Sequence, residues 1–159
     1  MSRKHYRVSA ESFIYALIGT TVLCLLAVTS QSLWTDEIGT WEITQHRTFH
    51  EWLISFWSHY NSDGQIPLYH AYMWIWVKLF GSGEWTLRAA NLPWLFVAAI
   101  GCASVSRDRR TQGWIHVCFF VNPFIWYYID EARPYIVYLC GASLIAGGIA
   151  NIWQSDKTH

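Results

Sequence analysis

Residues 12–30 read SFIYALIGTTVLCLLAVTS, an apolar stretch without a single charge. A helix needs about 17–25 such residues to cross the hydrocarbon core of a bilayer, so this run qualifies as a membrane span. A cleaved signal peptide is the other reading, since basic residues precede the run and small ones follow it. Its apolar length nevertheless exceeds the usual signal core of about 7–15 residues. On either reading the segment that follows is exported. Moving outward, three further runs have the length and apolarity of spans: 89–105, 113–129 and 135–153. A fifth, 67–80, is apolar and aromatic but short. It carries His70 and Lys78 on roughly one side, with Trp74 and Trp76 within it, which suits a helix lying in the membrane interface.

Charge placement sets an orientation. Arg3, Lys4 and Arg7 precede the first run, and Arg107, Arg109 and Arg110 follow the second. Residues 31–66 carry five acids (Asp36, Glu37, Glu42, Glu51, Asp63) against the single base Arg47. The positive-inside rule then puts the N-terminus and the Arg107–Arg110 cluster in the cytoplasm, and 31–66 outside. A crossing by 67–80 would force the arginine cluster outward, so four spans are expected. The expected fold is all-α: one polytopic membrane domain over 1–159, with spans at 12–30, 89–105, 113–129 and 135–153. Residues 31–85 form an outer loop with juxtamembrane helices.

Composition agrees. Hydrophobic residues make up 53% of the chain and charged ones 14%, a balance that argues against a water-soluble domain and against disorder. Basic and acidic side chains cancel to zero net charge, so nothing favours a nucleic-acid partner. Cys24, Cys102, Cys118 and Cys140 lie singly in apolar runs and read as small buried hydrophobes.

Within the outer loop, Phe49, Trp52, Leu53, Phe56 and Trp57 follow helical spacing and predict an apolar face, with His50, Glu51 and Ser58 opposite. In the last run Ala142, Ala146 and Ala150 form a small-xxx-small stripe suited to close helix packing. Pro123, after Asn122, predicts a kink within 113–129.

Three clusters carry the residues able to do chemistry. Trp34-Thr35-Asp36-Glu37 follows the first run and places two carboxylates at headgroup depth, where they act chemically or cap the next helix. Asn61-Ser62-Asp63-Gly64-Gln65-Ile66-Pro67-Leu68-Tyr69 combines a turn, a helix start and an outer acid. Tyr128-Ile129-Asp130-Glu131-Ala132-Arg133-Pro134-Tyr135 joins two runs with almost no loop. It sets Glu131 and Arg133 close to hydrocarbon, as functional groups or as a pair sealing the turn. Acids and an arginine on one membrane face suit chemistry on a phosphorylated lipid. The guanidinium binds phosphate and a carboxylate serves as base. His46 and His50 stand four apart beside Glu51, a spacing able to hold a metal but without the HExxH pattern.

Taken in order, these pieces resemble the N-terminal part of the GT-C superfamily of membrane glycosyltransferases, in the branch of protein O-mannosyltransferases and lipid-A aminoarabinose transferases. The matching segments are Asp36-Glu37, Ile66-Pro67-Leu68-Tyr69, Glu84-Trp85-Thr86-Leu87-Arg88-Ala89-Ala90-Asn91-Leu92-Pro93 and the Tyr128–Tyr135 stretch. The family commonly has a second proline where Ile66 stands, and its members are several times longer, so the resemblance covers the start of a longer architecture. It implies a polyprenyl-phosphate-linked sugar as donor, transfer at the outer face, and Asp36 as catalytic base with Glu37 beside it. Asp63, Tyr69, Glu131 and Arg133 would contact substrate. No metal ligand is assigned, though the family pattern leaves room for a divalent metal near Glu37. Membrane lipid and a membrane protein supplying further helices are the other implied partners. Two other readings compete with this enzyme. One is a non-catalytic membrane subunit, or an inactive fragment, that binds a lipid carrier or partner helices. The other is a metalloprotein using His46, His50 and Asp36.

Overall fold

The computed structural model describes residues 8–58 and 66–156. They form helices α1 (Ala10–Leu26), α2 (Thr35–Thr44), α3 (Phe49–Ser58), α4 (Pro67–Phe80), α5 (Glu84–Ala89), α6 (Leu92–Ala103), α7 (Arg109–Phe120), α8 (Pro123–Ile129) and α9 (Tyr135–Asp156), with no strand among the described residues. The helix ends follow local chemistry. The Ser9 hydroxyl accepts the Ser12 amide at the start of α1, and Asp108 accepts from Thr111 at the start of α7. Pro67 opens α4 at a position where its missing N–H is harmless, and Gly81, at φ 96°, closes it in a conformation that favours glycine.

Two segments, Glu84–Ala103 and Tyr135–Asp156, are long and apolar enough to cross a membrane. The other two expected spans do not qualify. The α1 helix has 17 residues. The 113–129 run is divided, because α7 ends at Phe120 and the Asn122 side chain caps α8 by accepting the Phe124 amide. Where the sequence predicts a kink, the missing Pro123 N–H and this cap instead end one helix and begin another.

Contacts order α1, α5–α6, α7–α8 and α9 alternately up and down. At one end Ser9 Oγ donates to Gln112 Oε1 at 2.9 Å, and Gln112 Nε2 to the Ser106 carbonyl at 2.8 Å. The Gln154 amide reaches the Val105 carbonyl there as well. At the opposite end Thr29 meets Asp130, and Asn91 donates to the Glu131 carbonyl. The core between them joins Ala16, Leu23, Leu95, Ala99, Ile129 and Ile136. A second cluster, built on Tyr69, Met73, Leu87, Ala90 and Ala132, fastens α4 and α5 to the end that holds Thr29 and Asp130.

The closest helix pair is α6 with α9. A Cβ on Gly147 would collide with Ser104 Oγ and lie 2.8 Å from the Gly101 carbonyl, and one on Gly101 would lie 3.1 Å from the Ser143 backbone. Packing therefore runs along Cys140, Ser143 and Gly147 rather than along the Ala142/Ala146/Ala150 stripe. Ala142 and Ala146 are exposed. Both stripes have helical spacing and small residues; the facing Gly101 and Ser104 decide which one turns inward.

Two other expectations change, on the cysteines and on His70, and the α3 face divides. Only Cys140 is fully buried, while Cys118 is exposed and Cys24 and Cys102 lie between. The buried centre of α3 is Trp52 and Phe56, whereas Phe49 and Trp57 at the edges of the predicted face are exposed. His70 does not share a polar side with Lys78; it is buried, its ring 5.8 Å from that of Phe56.

Candidate functional site

The α2 helix starts immediately past the end of α1, and its first turn carries both acids. Asp36 and Glu37 point in different directions. Glu37 Oε2 accepts the Trp34 amide at 3.0 Å, so this carboxylate caps its own helix. Its other oxygen, Oε1, accepts the Ala132 amide at 2.7 Å, which ties α2 to the turn between α8 and α9.

Arg88 on α5 completes the arrangement. Its Nε donates to Glu37 Oε1 at 3.1 Å and its Nη2 to Glu37 Oε2 at 2.8 Å, a two-point fork between side chains that are 1% and 0% exposed. The Nη1 group donates to the Gln31 carbonyl at 2.9 Å and to the Thr29 carbonyl and hydroxyl at 3.2 Å each. Asp130 lies 3.8 Å from Nε and accepts the Thr29 amide at 2.6 Å and the Thr29 hydroxyl at 2.8 Å. One guanidinium thus holds together the segment leaving α1, the first turn of α2 and the turn before α9. The buried charges have partners on every side, which is what makes them tolerable there.

Asp36 sits on the rim of this network with its side chain 74% exposed. Arg133, 18% exposed, donates from Nη1 to the Asp36 carbonyl at 3.2 Å, and the same nitrogen lies 3.6 Å from Asp36 Oδ2. Its guanidinium carbon is 5.9 Å from the Tyr135 ring centre. The acid of the first cluster and the arginine of the third are therefore neighbours. No family model, curated protein or solved structure matches the chain. A functional reading rests on this geometry and on the sequence pattern.

The remaining candidates lie around this centre. Glu131 is half-buried, and its carbonyl accepts from Asn91 Nδ2 at 2.6 Å. Tyr69 is buried in the second apolar cluster with Leu87 and Ala132, which adjoin Arg88 and Arg133 in the chain. Asp63 lies outside the described residues. His46 falls in the loop between α2 and α3, where its carbonyl accepts from Trp74 Nε1, so His46 and His50 do not share a helix face. Glu51 caps α3 by accepting the Arg47 and Thr48 amides. Among the described residues no three His, Cys, Asp or Glu side chains gather as a metal site.

Burial alone would raise the Glu37 carboxyl. Hydrogen bonds from Arg88, Ala132 and Trp34, with the Arg88 charge, outweigh burial and hold it below its ordinary value of 4.5. A carboxylate depressed on folding contributes stability that is complete above the unfolded value and lost as pH falls through the folded one. Thermal unfolding followed from pH 7 down to pH 3 is expected to show the wild-type advantage over Glu37→Gln shrinking below about pH 4.5. A constant difference across that range would show that the Glu37 charge contributes nothing.

Proposed function

We propose that this chain is a membrane glycosyltransferase of the GT-C type, or the N-terminal module of one. It moves a sugar from a polyprenyl-phosphate donor to an acceptor hydroxyl at the outer membrane face. The observation that carries this reading is the pairing of exposed Asp36 with Arg133 on a rim fixed by the buried Glu37–Arg88–Asp130 network. Asp36 takes the proton of the acceptor hydroxyl as its oxygen bonds to the anomeric carbon. The bond from that carbon to the phosphate oxygen breaks, and polyprenyl phosphate leaves with its charge offset by Arg133. Glu37, closed off from solvent, acts by position: it fixes the α2 turn that presents Asp36.

In this reading α1, α5–α6, α7–α8 and α9 are four membrane passes. The exposed apolar side chains of α1 (Phe13, Leu17, Leu25) and α9 (Ile145, Ile149, Ile152) face lipid, which supports a membrane setting. The N-terminus and the Arg107–Arg110 segment are cytoplasmic, and the Asp36 rim is external. The exposed Ala142 and Ala146 favour a second reading, a subunit whose α9 receives another helix.

The test is the donor dependence of sugar transfer by the wild-type chain and by Arg133→Gln in vesicles. Loss of one charge-assisted contact is expected to lower kcat/KM about 10–100-fold without unfolding the protein. Absence of transfer by the folded wild type would remove the reading of this chain as a transferase by itself and leave that of a module, and equal kcat/KM would remove Arg133 from the donor site.

A further inference from the structure

Away from the Asp36 rim, at the opposite end of the bundle, the parallel helices α1 and α7 leave a groove of about 600 Å³. Tyr15, Val22, Trp114 and Val117 are among its walls, all apolar and exposed. Gly19 shapes it, because a Cβ there would run into the Phe120 ring. Among the described residues Arg110 is the one Lys, Arg, Asp or Glu in its lining. Of the neighbouring charges, Arg109 pairs with Glu11 at 3.4 Å, and Asp108, whose Oδ2 accepts both the amide and the hydroxyl of Thr111, also feels the Arg110 charge.

We propose that this groove binds an anionic phospholipid of the cytoplasmic leaflet, its phosphate on Arg110 and one acyl chain along α1 and α7. Length supports the match. From Arg110 to Phe120 the helix advances about 15 Å at about 1.5 Å per residue, half of a hydrocarbon core of about 30 Å. That stretch of α7 is one leaflet long with a cation where the headgroup begins, and the groove continues past it to Val121 and Trp126. Basic pockets between membrane helices on the cytoplasmic side are where anionic headgroups bind. The proposal rests on the membrane placement of the bundle and not on the transfer reaction, so it can fail or hold independently of catalysis.

The test uses the whole chain in mild detergent, titrated with phosphatidylglycerol or phosphatidylcholine of identical acyl chains and read by native mass spectrometry. The wild type is expected to hold phosphatidylglycerol about fivefold more tightly, the worth of one basic side chain near a headgroup. Arg110→Gln should abolish that preference and keep the weaker binding common to both lipids. Gly113→Leu should lose both lipids; a Cβ at Gly113 comes no closer than 3.9 Å to the Tyr15 ring, so the larger side chain fills the groove without moving backbone. Equal retention of the two lipids by the wild type, or a preference that survives Arg110→Gln, would overturn the proposal. So would displacement of the lipid by glycerol phosphate alone, which would mark Arg110 as a site for a tail-less anion.

Discussion

Arg88→Ala is expected to destabilise the protein by about 3–5 kcal/mol, the usual consequence of removing one partner from a buried ion pair. Glu37 would keep its charge and its 0% exposure while losing both guanidinium hydrogen bonds. The Ala132 and Trp34 amides still bond that carboxylate but bring no compensating charge. The Gln31 and Thr29 carbonyls lose their shared donor as well, which loosens the chain leaving α1. Arg88→Lys should recover only part of the loss, since an ammonium is a single point and cannot span Glu37 and both carbonyls as the planar fork does. Adding Glu37→Gln to Arg88→Ala should recover more, because it removes the stranded charge. Unfolding in detergent across these variants checks the ordering. A loss below about 1 kcal/mol for Arg88→Ala would place the pair among those that behave like surface ion pairs.

Much of the local structure was legible in the sequence. The 67–80 helix opens at Pro67 and closes at Phe80 as its composition indicates, and Asn122-Pro123 interrupts a helix. The capping alternative for the acids that follow α1 applies to Glu37, whose carboxylate turns back onto the Trp34 amide. What stayed hidden depends on pairing between distant segments. Arg88 stands between Leu87 and Ala89 in a short helix, and nothing local marks it as the partner of an acid on α2. The signal near it is its place in the Glu84–Pro93 stretch, one of the segments behind the proposed GT-C reading. The inward face of α9 is hidden for the same reason, since Gly101 and Ser104 on another helix select Gly147 over Ala146. Hydrophobic periodicity on α3 located the helix, of whose apolar face Trp52 and Phe56 are covered while Phe49 and Trp57 stay exposed.

Asp36→Asn should separate chemistry from stability. The side chain is 74% exposed, so its contact with Arg133 is worth at most about 1 kcal/mol, and the Arg133 bond to the Asp36 carbonyl survives the substitution. The amide keeps the size of the carboxylate yet cannot take a proton from the attacking hydroxyl, and loss of a positioned base lowers rates by about 10²–10⁴-fold. Folding and insertion should therefore be unchanged while transfer collapses, the reverse of Arg88→Ala. The deciding measurement is the initial rate of sugar transfer from a polyprenyl-phosphate donor in vesicles holding equal amounts of folded wild type and Asp36→Asn. A drop of at least about 100-fold at equal thermal stability is the expected result. A variant rate within a few-fold of a measurable wild-type rate would contradict the assignment of Asp36 as the base.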